Sequence, residues 1–146
     1  MRVDFYHLTR QPLERVLPQI AERVLAGEGR LLVVAAGEDQ RARLDAALWS
    51  YAPDSFLPHG RAEHGDADAQ PVLIAADPAP ANGARHVALV DGQWRDEVLG
   101  FERAFHFFDE DAIDAARAAW RALGSRDGVE RHYWRQKEEG GWEQVA

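Results

Sequence analysis

"RLLVVAAGEDQRARLDAALWS" (Arg30–Ser50) decides the fold. Its opening run, Arg30–Ala36, is apolar without alternation. A strand with one wet face alternates apolar and polar residues, whereas a strand covered on both faces does not. Gly37 ends the run, and the residues from Gly37 to about Ser50 read as a helix. Glu38 and Asp39 lie in its first turn, where the helix dipole favours negative charge. A doubly buried strand running straight into a helix is the opening of a βαβ unit, which implies a mostly parallel sheet.

The same alternation extends outward in both directions. Upstream, "VDFYHL" (Val3–Leu8) reads as a first strand, and Pro12 suits the first turn of a helix. Leu13, Val16, Leu17, Ile20, Val24 and Leu25 then recur at helical spacing until Gly27–Gly29. Pro18 falls inside that pattern and predicts a kink or a late start near Leu17. Downstream, Pro58–Gln70 reads as a turn-rich loop, Pro71–Ala76 as a buried strand, and Arg85–Gly92 as another. Trp94 to about Ala104 suggests a short helix, and Ala104–Phe108 a further strand. Asp109 or Asp111 can cap a helix that runs to Leu123 and stops at Gly124. Finally "VERHYWRQ" and "GWEQVA", split by "KEEGG", predict a hairpin or an edge strand. The expected fold is therefore α/β: one domain over residues 1–146, a mostly parallel sheet flanked by helices, and an antiparallel C-terminal edge.

Composition narrows the function. The chain has 146 residues, 46% hydrophobic and 29% charged, which suits one globular domain. It has no Cys, which excludes disulfides and thiolate zinc sites. The formal net charge is −8, which argues against strong direct binding to DNA phosphates. The first residues are too polar for a signal peptide, and no apolar run approaches a membrane span; both fit the cytoplasm.

The sheet invites a nucleotide, but the turn after the first strand, "TRQPLER", lacks the glycines that let backbone N–H groups approach a pyrophosphate. The expected fold is thus Rossmann-like without a nucleotide site. His59, Glu63, His64, Asp66 and Asp68 carry metal-ligating groups, yet no pair has a rigid helical or strand spacing, so a solvated acidic loop is expected. There is no GxSxG nucleophile elbow. No catalytic residue, cofactor or metal is expected; the alternative is a small α/β nucleotide-binding module or enzyme of unknown substrate.

Two clusters remain. In the last long helix Ile113, Ala116, Trp120 and Leu123 form an apolar stripe, with Asp114, Arg117 and Arg121 beside it. Arg117 and Arg121 stand one turn apart next to the Trp120 ring, as a carboxylate clamp beside an apolar patch would, or as an ordinary solvated edge. Trp49, Tyr51, Phe56 and Leu57 surround the exit of the Gly37–Ser50 helix. They read equally as core or as a surface for a partner protein, since interfaces are rich in such side chains.

The stretch "RLDAALWSYAPDSFLPHG" resembles the LD-x-x-LW and SF-x-PH motifs of the chi subunit of bacterial DNA polymerase III. "VDFYHL", "RLLVVAAGEDQ" and "ARAAWRAL" follow the same family in order. The resemblance implies a non-catalytic adaptor that joins the clamp loader, through the psi subunit, to the acidic C-terminal tail of single-stranded-DNA-binding protein. It implies psi contacts at Trp49 and Phe56, with Tyr51 and Leu57 beside them. It implies tail contacts at Arg117, Trp120 and Arg121, with Trp where Tyr is familiar and Arg where Lys is.

Overall fold

The computed structural model describes residues 1–51 and 57–146. Among them the strands are β1 (Arg2–His7), β2 (Leu31–Val34), β3 (His59–Arg61), β4 (Val72–Ala75), β5 (His86–Leu89), β6 (Arg103–Phe108), β7 (Glu130–Gln136) and β8 (Trp142–Gln144). The helices are α1 (Leu13–Ala26), α2 (Glu38–Ser50) and α3 (Ile113–Leu123). One sheet takes the order β3-β4-β2-β5-β6-β1-β7-β8. Every pairing is parallel except β7 with β8. The α/β sheet and its antiparallel C-terminal edge are those expected.

The apolar run of β2 explains the layers. Leu31 and Val33 face α1 and α2, in a core with Leu13, Leu17, Ile20, Leu44 and Leu48. Leu32 and Val34 face the other side, in a core with Ala116, Ala119 and Leu123 of α3. Period-two geometry sends alternate side chains to opposite faces, so a strand between two helix layers must be apolar throughout.

The connections obey the right-handed crossover rule. β1–α1–β2 and β2–α2–β3 advance toward the β3 edge, while β6–α3–β7 advances toward the β8 edge. Opposite directions with one hand place α3 on the opposite face from α1 and α2. Because β6 and β1 are neighbours, the chain leaves their carboxyl ends in opposite directions. That is a topological switch point, where α/β sheets open a crevice.

Two local expectations are corrected and a third is refined. Helix α1 begins at Leu13 with Pro12 as N-cap, so Pro18 does not delay it. An interior proline costs about 3 kcal/mol. Burial of Leu13, Val16, Leu17 and Ile20, at roughly 1.5–3 kcal/mol each, outweighs that. The Pro58–Gln70 tract holds a short edge strand, β3, paired with β4 from His59↔Val72 to Arg61↔Ile74. Between Trp94 and Ala104 the helical piece is a 3-10 turn, Asp96–Gly100.

Asp4 and His106 are polar groups wholly buried inside the sheet. Asp4 on β1 accepts from Arg103 Nε at 2.8 Å, Trp134 Nε1 at 2.9 Å and Arg2 Nε at 3.1 Å. Burial pushes its carboxyl up, but the bonds from Trp134 and Arg2 and the charge of Arg103 outweigh that and leave it below the usual carboxylate range. His106 on β6 lies edge-on to Phe5, 5.3 Å between centroids, and to Trp94 at 5.7 Å. Burial pushes its imidazole down from 6.5 to about 4.

Candidate functional site

The switch-point crevice is a cavity of about 620 Å³, lined by Leu8–Glu14 after β1, Asp91 and Gly92 after β5, and Phe108 and Asp109 at the end of β6. In nucleotide-binding sheets the turn after the first strand offers consecutive backbone N–H groups to phosphate. Here the N–H groups of Thr9, Arg10 and Gln11 all donate to one atom, Gln136 Oε1, at 3.0, 2.9 and 3.1 Å. Thr9 Oγ1 donates to the Gln136 carbonyl at 3.2 Å. Gln136 is the last residue of β7 and is 7% exposed. A phosphate placed on this turn would have to displace it.

The first candidate surface lies at the end of α2. Trp49 is 61% exposed, and with Val145 it makes up the large exposed hydrophobic residues among those described. Its indole meets the His59 ring edge-on at 4.8 Å. The His59 side chain is itself buried: Nδ1 donates to the Leu57 carbonyl at 2.6 Å, and Nε2 lies 3.0 Å from Asp45 Oδ1, off the line of an N–H···O bond. Asp45 sits one turn before Trp49 on α2, so a buried imidazole holds helix, loop and indole in one arrangement.

Tyr51 follows α2, half-buried against the α1/α2 core. Leu57 is 4% exposed and belongs to that core with Leu44 and Leu48 of α2, so it is corrected from surface contact to core residue. Phe56 lies outside the described residues. Sequence reasoning read "PH" as part of a motif but missed His59 as the support beneath Trp49.

The second surface is on α3. Arg117 and Arg121 are exposed, and neither is in an ion pair among the described residues. Trp120 is half-buried, edge-on to Phe5 at 5.4 Å and to Tyr133 at 5.7 Å. The Arg131 guanidinium from β7 stacks 4.1 Å over the Trp120 ring, and its Nη1 donates to the Trp120 carbonyl at 2.6 Å. Gly124 clears space for that fork, since a Cβ there would stand 2.8 Å from Arg131 Nη2. Burial pushes the Tyr133 phenol up while the nearby Arg117 charge pulls it down, so Arg117 and Tyr133 share one neighbourhood.

The structure thus brings Arg117, Trp120 and Arg121 together as expected of one helix face. It adds Arg131 and Tyr133, which alternate on β7 and so reach the same face of the sheet. That alternation was present in the sequence; the parallel pairing of β7 with β1 that gives it meaning was not.

Two comparisons fix the lineage. The family model for the DNA polymerase III chi subunit (HolC) matches residues 1–130. The chain belongs to the DNA polymerase III chi subunit family. It is 35% identical over 114 residues to the chi subunit of Escherichia coli K12, covering 75% of this chain and 77% of that one. It is 37% identical over 84 residues to the chi subunit of Pseudomonas aeruginosa, covering 56% of this chain. The chain spans 58% of the length of that Pseudomonas relative. The chi family model covers every α-helix and all strands through the start of β7.

Proposed function

We propose that this chain is a non-catalytic accessory subunit of DNA polymerase III. It bridges the clamp loader, held through psi, to the C-terminal tail of single-stranded-DNA-binding protein in the cytoplasm. The observation that carries the reading is the placement of the two surfaces. Trp49 stands on α2, which packs on one face of the sheet, and Arg117 and Arg121 stand on α3, which packs on the other. An adaptor has to hold two partners together, and surfaces on opposite faces leave room for both.

The chemistry of α3 suits an acidic tail with an apolar last residue. Arg117 and Arg121 supply planar forks for carboxylates, Trp120 supplies an apolar wall, and Arg131 adds a third positive charge. The protein carries a net charge of −8, so this positive spot is local. Attraction of an acidic peptide to it weakens as salt rises.

The test uses purified chain, cognate psi and an immobilised peptide of the tail. The chain carries psi onto the peptide. Trp49→Ala weakens psi capture at least tenfold and leaves peptide binding intact, whereas Arg117→Ala does the reverse. Amidating the peptide C-terminus reproduces Arg117→Ala. Equal binding of the amidated and free-acid peptides, or competition between psi and peptide for the chain, refutes the bridge.

A further inference from the structure

A smaller cavity, about 250 Å³, opens between the last turns of α1 and the amino ends of β5 and β6. It lies just below the ~300–1,000 Å³ usual for ligand pockets, which limits it to a small molecule. Its floor is aromatic, formed by Tyr6 and Phe105, whose rings stack with centroids 6.2 Å apart. Its polar walls are Arg23, His86 and Arg103, and no carboxylate lines it.

These groups are only partly committed. Arg103 gives Nε to Asp4 at 2.8 Å and lies over Phe105, 4.5 Å from the ring centroid, and its outer nitrogens make no hydrogen bond among the described residues. Arg23 is in no ion pair among the described residues. His86 Nδ1 is buried without a partner, facing Gly29, where an added Cβ would stand 3.7 Å from it. Burial and then the Arg103 charge push the His86 imidazole down. Burial and the Asp4 charge push the Tyr6 phenol up, against the charges of Arg103, Arg2 and Arg23. Three acids stand near: Asp4 is consumed by Arg2, Arg103 and Trp134, Glu102 lies 3.4 Å from Arg85, and Glu28, between the lining Gly27 and Gly29, is exposed. The surplus around the cavity is therefore positive, in a protein that is negative overall.

We propose that this cavity binds a small organic anion carrying one flat apolar ring. The apolar ring packs against the Ile20 and Val24 wall beside the edges of Tyr6 and Phe105, and the anionic group meets Arg23 and the outer nitrogens of Arg103, near His86. The site uses none of the residues of the two docking surfaces, so it stands or falls apart from the bridging function.

The probe is phenyl phosphate, titrated into the full chain and followed by the ring signals of His86. Benzyl alcohol, with a similar body and no charge, is the control. Phenyl phosphate shifts the His86 signals saturably, and benzyl alcohol binds at least tenfold more weakly. Arg23→Ala, a change on an exposed helix position, weakens phenyl phosphate at least fivefold and leaves the thermal midpoint within a few degrees. The proposal is overturned if His86 does not respond, if benzyl alcohol binds equally, or if Arg23→Ala and Arg23→Glu bind like the parent.

Discussion

Acid should loosen this protein through His106. In the fold the imidazole is pushed from 6.5 down to about 4, because burial among Phe5, Trp94 and Phe108 disfavours the charged ring. Nearby Asp91 pulls the other way and Arg95 adds to the depression, both less strongly. The unfolded chain has no such burial, so its imidazole takes a proton near pH 6.5. Between those two values the unfolded state binds the extra proton, so stability falls as pH falls. At about 1.4 kcal/mol per unit, the full loss is about 3 kcal/mol, of which about 2 kcal/mol is gone by about pH 5. For a chain of this size that is a sizeable share of the ~5–15 kcal/mol total.

The assay is urea unfolding at a series of pH values for the parent and His106→Leu. His86 is also pushed down, by burial first, and the depressed carboxyls of Asp4 and Asp91 lose their contribution as pH falls through their folded values. All of these remain in the variant, so the difference between the two curves isolates His106. The parent should lose about 2 kcal/mol more than the variant between pH 7 and about pH 5. Parallel curves refute the reasoning and mean that the folded protein accommodates a charged ring at position 106.

Gln136→Ala removes the acceptor shared by Thr9, Arg10 and Gln11. It should cost about 1–3 kcal/mol in urea unfolding, with amide exchange faster at those residues than in α2. Arg131→Leu takes the cation from above Trp120 and should shift that indole's fluorescence and weaken tail-peptide binding, without touching psi binding. Trp49→Ala should leave stability within about 1 kcal/mol, because the ring is mostly exposed, yet weaken psi at least tenfold, as loss of a central aromatic typically costs about 2 kcal/mol. Arg117→Lys should recover only part of the tail affinity lost in Arg117→Ala, since an ammonium cannot reproduce a two-pronged contact with a carboxylate.

The layered sheet was legible because its signal is local. A four-residue strand flanked by helices must be apolar on both faces, and Leu31–Val34 is. The stripes of α3 were legible for the same reason. β3 was hidden because His59, Gly60 and Arg61 carry no apolar period; only pairing with β4 makes them a strand. Pro18 misled because local cost was weighed without the core that α1 covers. The partners of Asp4 were out of reach for another reason: Arg103 and Trp134 arrive from neighbouring strands far along the chain. Which side of Trp49 would be wet also depended on His59, whose burial is a tertiary fact.

β1 sits in the interior of the sheet, between β6 and β7. It is the first strand in the chain, and its neighbours are residues 103–108 and 130–136. On the ribosome, β2, β3, β4 and β5 can therefore assemble while β1 still has no partner. At roughly 5–20 residues per second, the wait for β6 lasts on the order of ten seconds. Throughout it, an aromatic strand with two open edges is exposed to other nascent chains. Completion comes only when β7 closes the second edge and Gln136 reaches back to the turn after β1. Yield from cells should therefore respond to translation speed and to chaperone supply during synthesis, more than to the stability of the finished fold.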